Sequence, residues 1–150
     1  MKHLKIEFGS VDDIVDLSAK LPEFDKIMTR EFLLSRLDRA VSLILVARIE
    51  ETLVGYKIGY ELTKDTFYSW LGGVVPKYRK NGIATILLNY QENYLRNSGY
   101  KQIKVKSMNR FPNMLRLLIS KEYEIVSIEE GSCLLENKIV FIKNLAINDD

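Results

Sequence analysis

The chain has 150 residues, 47% of them hydrophobic and 28% charged, with a formal net charge of +2; this predicts a single globular domain, residues 1–150, that buries roughly 70% of its unfolded surface. So small a positive charge argues against a polyanion binder, and no nucleic-acid partner is expected. Cys133 is the one cysteine and His3 the one histidine; this excludes an intrachain disulfide and a zinc site of Cys and His ligands, and no metal is expected.

The first ten residues are too short and too alternating for a signal peptide. No apolar run reaches the roughly 18 residues of a membrane helix, so a cytoplasmic protein with no membrane partner is expected. Leu4, Ile6 and Phe8 alternate with charged neighbours and predict a strand. Ser10 suits an N-cap, with Asp12 and Asp13 in the first turn of a short helix that carries Val11, Ile14, Val15 and Leu17 and breaks at Pro22. A second helix is predicted from about Thr29, with Phe32, Leu33, Arg36 and Leu37 at helical spacing. Residues 42–62 read as a hairpin turning at Glu50, Glu51 and Thr52, and residues 65–75 as a third strand ending at Pro76.

A long helix is predicted from about Gly82 to Ser98. Ile83, Ile86, Leu87, Tyr90 and Tyr94 form its apolar stripe, Leu88, Gln91 and Leu95 flank it, and Gly99 closes it. The next strand sets Ile103 and Val105 on one face and Lys104 and Lys106 on the other. Asn109 and Pro112 introduce a helix through about Lys121. Two strands follow, residues 122–129 and 137–145, with Cys133 as a small residue before the second and a loose tail at 146–150. The order β–α–α–β–β–β–α–β–α–β–β is that of a mixed α/β domain with a crossover helix.

The basic residues Lys77, Arg79 and Lys80 precede Gly82 at a helix start. A helix N-terminus carries unpaired N–H groups and about half a positive charge, which together attract phosphate. Gly82 lets a ligand approach the backbone, Ala84 is nearly as small, and Thr85 adds a hydroxyl. The competing reading is a turn glycine among solvated basic side chains. The residues alone leave both open; "VVPKYRKNGIATILL", through Val74, Pro76, Tyr78, Arg79, Gly82 and Ala84, resembles the acyl-CoA-binding motif of the GNAT superfamily of N-acetyltransferases, and that resemblance implies the phosphate reading. The strand that ends at Asn109 and the helix and strand "NMLRLLISKEYEIV" extend the resemblance over about Leu43 to Val126.

The resemblance implies a GNAT-like fold, with a mostly antiparallel sheet of about seven strands, a V-shaped split and about four helices. It implies acetyl-CoA as co-substrate and a primary amine of a small molecule or peptide as acceptor. The pyrophosphate would rest on the amides of Arg79, Lys80, Asn81, Gly82, Ile83, Ala84 and Thr85. The backbone of Val74 and Val75 would pair with the pantetheine, and Asn109 would bond the cofactor arm or, alternatively, cap the next helix. Glu61 is the candidate general base, against a reading as a surface glutamate. The family's usual acidic Tyr falls at Leu118, which has no proton to give, and Glu122 and Tyr123 replace the usual Gly-Phe; Tyr90 and Tyr94 read as core and do not substitute. Leu118 keeps open a second reading, a non-catalytic acyl-CoA-binding module. Glu23, Asp25 and Glu31 would draw a cationic acceptor, Trp70 and Tyr68 would line its pocket or pack, and a homodimer is implied by analogy.

Overall fold

The computed structural model describes residues 3–22, 28–38 and 40–145; Glu23, Asp25 and the tail 146–150 lie outside them. The chain opens with strand β1 (Leu4–Phe8) and turns into helix α1 (Val11–Ser18). A reciprocal cap makes that turn: Ser10 Oγ accepts from Asp13 N–H, and the Asp13 carboxylate accepts from Ser10 N–H. Helix α2 (Arg30–Leu37) starts on Thr29, whose hydroxyl accepts from Phe32 N–H. Strands β2 (Ser42–Ile49), β3 (Thr52–Glu61) and β4 (Thr66–Val74) form the predicted meander. Helix α3 (Ile83–Asn97) crosses over to β5 (Gln102–Met108), and α4 (Pro112–Ser120), β6 (Glu124–Glu129) and β7 (Lys138–Asn144) complete the chain.

The seven strands lie in the order β1-β2-β3-β4-β5-β7-β6. Every neighbouring pair is antiparallel except β4–β5, which the α3 crossover makes parallel. One sheet face packs Val46, Tyr56 and Ile58 under α1 and α2, with Ile14, Leu17, Leu33 and Leu37. The other packs Leu45, Phe67, Ile103 and Phe141 under α3 and α4, with Ile83, Leu87, Leu95 and Leu118.

Helix α3 sits rotated from its predicted stripe. Ile86, Tyr90 and Tyr94 are 40%, 38% and 39% exposed, while Leu88, Gln91 and Glu92 are buried beside Ile83, Leu87 and Leu95. The cause is tertiary: Lys143 of β7 holds the Glu92 carboxylate at 2.9 and 3.0 Å, so a charged residue turns inward. Tyr94 instead meets Phe8 edge-on over the rim of the sheet. The helix closes as predicted, with Gly99 at φ 91° and Tyr100 N–H bonded back to Leu95 O.

The feature that positions the site is a parting of β4 from β5. Their pairing runs from Thr66↔Gln102 to Ser69↔Val105 and stops. There the β3–β4 register slips, because Ile58 faces Leu71 while Gly59 faces Ser69, leaving Trp70 as an extra residue on β4. Such a bulge bends its strand. Beyond it β4 stays with β3 as far as Val74, and β5 stays with β7 as far as Met108, so a V-shaped split opens between them.

Candidate functional site

The mouth of the split is the loop from β4 to α3. Val75 N–H donates to Val54 O at 2.8 Å, and Tyr78 N–H and Arg79 N–H bond back to Val75 O and Pro76 O in a single tight turn. Lys80 and Gly82 then adopt positive φ, 65° and 81°. A run of amides that includes left-handed residues forms a concavity of donors. From Lys80 to Thr85 these N–H groups meet no acceptor among the described residues, and no side chain caps α3. Nothing lies within 4 Å of where a Gly82 Cβ would stand, so the approach is open. The Asn81 carboxamide donates to Tyr78 O and Arg79 O, stiffening the loop. Lys77, Arg79 and Lys80 are exposed around it.

The wall of the split is β4. The Val75–Val54 bond fixes the phase of the antiparallel ladder, so Val74, and Gly72 two residues back, turn their N–H and C=O away from β3 and toward the split. Val74 O already accepts from Arg79 Nε at 2.9 Å, and Val75 spends both its main-chain groups within the protein. Gly72, which the sequence did not single out, thus presents free main-chain groups where Val75 does not. The signal was available in the pairing phase, which requires knowing the β3 partner.

Asn109 lies at the far lip. Its carboxamide donates to Leu134 O at 2.8 Å and ties the end of β5 to the turn before β7. It is not the cap of α4; Phe111 holds that place without a side-chain bond, and Pro112 starts the helix. Leu118 is fully buried on α4, so that helix offers no proton donor at the expected position.

Beyond the floor of the split, Glu61 ends β3 opposite Phe67. Its carboxylate accepts from Tyr100 Oη at 2.8 Å. Burial, then that bond to Glu61, push the Tyr100 hydroxyl up to about 12. Glu61 also borders a hollow of about 310 Å³ with Arg36, Ala40, Tyr60 and Leu62. Next to it the aromatic residues pack into a wall. Trp70 meets Phe32 and Tyr60, Tyr60 meets Tyr68, and the Arg36 guanidinium stacks 4.8 Å from the Trp70 ring centre. Of the two roles weighed for Trp70 and Tyr68, packing is the one these contacts show. Of the acidic residues expected at the mouth of the acceptor site, Glu31 is described and exposed in the first turn of α2.

On the α3 side of the floor the structure shows polar groups that sequence reasoning passed over. Ser69 Oγ and both polar atoms of the Gln91 carboxamide are buried without a hydrogen-bond partner among the described residues. Lys57 lies under the same helix face, 8% exposed. Among the described residues no group of His, Cys, Asp and Glu is arranged to hold a metal, and no helix is long and apolar enough to cross a membrane.

Known proteins share this fold. The family model described as "Acetyltransferase (GNAT) family" matches residues 11–117. No curated protein matches the chain. Among solved structures, Ard1 from Thermoplasma volcanium is similar with a TM-score of 0.83 at 13% identity, over 97% of this chain and 99% of that one. The ribosomal-protein-S18-alanine N-acetyltransferase from Escherichia coli is similar with a TM-score of 0.84 at 12% identity, over 98% and 97%. A GNAT family acetyltransferase from Elizabethkingia anophelis with acetyl-CoA bound gives 0.75 at 15% identity, over 96% and 99%. At these identities the likeness is one of fold, and the fold is the expected one.

Proposed function

The chain belongs to the GNAT acetyltransferase family, and we propose that it moves an acetyl group from acetyl-CoA to a primary amine of a small molecule or peptide by direct attack. One observation carries this reading: unbonded amides from Lys80 to Thr85 open onto a split whose β4 wall offers free main-chain groups. Acetyl-CoA bound in the Elizabethkingia anophelis structure supports the same ligand here.

In this reading the amides of Lys80, Asn81, Gly82, Ile83, Ala84 and Thr85 hold the pyrophosphate, with Arg79 adding charge from the turn above. Gly72 and the N–H of Val74 pair with the pantetheine as a strand edge pairs with a peptide. Asn109 keeps the far lip in place and faces the same arm. The acceptor enters through the hollow beside Glu61, whose volume falls at the small end of ligand sites. An ammonium is not nucleophilic, and Glu61 takes its proton through water. The exposed apolar residues of edge strand β6, Ile125, Val126 and Ile128, support a homodimer through that edge. A cytoplasmic location is proposed with it.

Leu118 in the core supports a second reading, binding of acyl-CoA without turnover. Acetyl-CoA should raise the melting temperature under either reading; no shift at millimolar ligand sinks both. Free-thiol release across polyamines, aminoglycosides, amino acids and peptide N-termini separates them. Turnover with any amine names the acceptor class, and binding without turnover selects the non-catalytic module.

A further inference from the structure

We propose that the Lys57 ammonium delivers the proton to the departing CoA sulfur, the task for which α4 has only Leu118. This rests on the acetyl transfer proposed above. Lys57 stands on β3 opposite Gly72, so both face the α3 side of the sheet. The side chain crosses the space that a glycine leaves: its Cγ and Nζ stand 3.6 and 3.7 Å from where a Gly72 Cβ would be. A Cβ at position 72 would lie in van der Waals contact with it, and a larger side chain would crowd that passage. The ammonium is thereby carried over β4, the strand that borders the split, past the point where β5 has left it.

The ammonium is also unclaimed. No hydrogen bond or ion pair holds it among the described residues. Glu92 of α3 is the charged group that acts on it, through space, and Glu92 is itself held by Lys143 at 2.9 and 3.0 Å. No other charged group acts on it among the described residues. A buried cation without a partner is costly unless a partner arrives. A thiolate formed at the floor of the split is such a partner.

Burial pushes the Lys57 ammonium down to about 8, with Glu92 opposing the shift. That is close to an ordinary thiol, about 8.5, where proton transfer between the two is nearly balanced. The step is complete in its atoms. The acceptor nitrogen, already relieved of its ammonium proton, forms the C–N bond with its lone pair and releases its surplus proton to water; the C–S bond breaks with its electron pair left on sulfur, and the Lys57 proton goes to that sulfur. Solvent then reprotonates the amine of Lys57.

Lys57→Met and Lys57→Arg test this against the unmutated enzyme. Both variants should keep the acetyl-CoA melting shift and lose about 100-fold in kcat, and both should lose the alkaline fall of kcat with its midpoint near 8. Arginine keeps the charge but does not release a proton, so full turnover in Lys57→Arg overturns proton delivery, as does an unchanged profile in Lys57→Met. A second measurement needs no variant: the 13Cε resonance of Lys57 should titrate near 8, and CoA should raise that midpoint while an analogue lacking the sulfur does not. A midpoint that both ligands move equally, or that neither moves, overturns the proposal. Failure of the unmutated protein to bind acetyl-CoA is read separately, as failure of the proposed function.

Discussion

The mouth of the split and its floor both hold polar groups without protein partners, yet the two are physically different. At the mouth the unpaired groups are main-chain amides of the exposed loop Lys80 to Gly82 and of the first turn of α3 as far as Thr85, and water serves them at little cost. At the floor they are side chains: Ser69 Oγ and the Gln91 carboxamide, out of water's reach, and the Lys57 ammonium on a residue 8% exposed. Each of those lowers stability. The mouth leaves its donors open at no expense to the fold, whereas the floor carries a standing penalty. Stability given up at one place and not elsewhere is the mark of a functional site.

The sharpest way to break this comparison is at the mouth. Gly82→Glu puts bulk and negative charge against the pyrophosphate and forces a side chain into φ 81°. Affinity for acetyl-CoA should fall at least 100-fold, about 3 kcal/mol, and the melting shift should vanish. Asn113→Glu, at the equivalent turn of α4, should leave the shift intact, because that helix start is not part of the cradle. A retained shift in Gly82→Glu would show that the loop is not the anion site.

At the floor the expected sign reverses, and Lys57→Met should stabilise the protein by up to about 3 kcal/mol at pH 7. The folded value of about 8 lies below the ordinary 10.5. Between those values the unfolded chain binds more protons, so the stability of the unmutated protein rises with pH. The penalty of Lys57 is complete below pH 8 and relieved as pH climbs toward 10.5. Urea melts at pH 7 and pH 10 should therefore show the gain from Lys57→Met shrinking; a gain that is absent or constant with pH contradicts a buried, unpaired ammonium.

Glu61→Gln should lower kcat about tenfold, near 1.4 kcal/mol, and leave acetyl-CoA affinity alone, since the carboxamide oxygen still accepts from Tyr100. Unchanged rates across pH would clear Glu61 of the base role. The smallest effect is expected at Gln91→Met, which replaces an unsatisfied carboxamide with an apolar chain of similar length. It should gain about 1 kcal/mol in urea unfolding; a loss of stability would mean that the carboxamide has a partner after all.

How much was legible follows from how far each feature reaches along the chain. The Ser10 and Thr29 caps, the αL closure at Gly99 and the helix start at Gly82 each span a few residues, and each stood in the sequence as predicted. The stripe of α3 was read too far toward Ile86, Tyr90 and Tyr94, because helical periodicity does not know that Lys143, far along the chain, will draw Glu92 inward. Asn109 was visible as a residue at the lip, but its bond to Leu134 was not. Lys57 was not singled out at all.

The sequence by itself determined the strands and helices, their order, and the glycine start of α3, because caps, glycines and apolar alternation act between near neighbours. Only the tertiary structure decided where β4 parts from β5, which main-chain groups face the split, and that Lys57 lies beneath α3 over the bare backbone of Gly72. Those depend on register between strands and on which helix covers which face. Both are set by contacts between residues distant in the chain, for which no local pattern stands in.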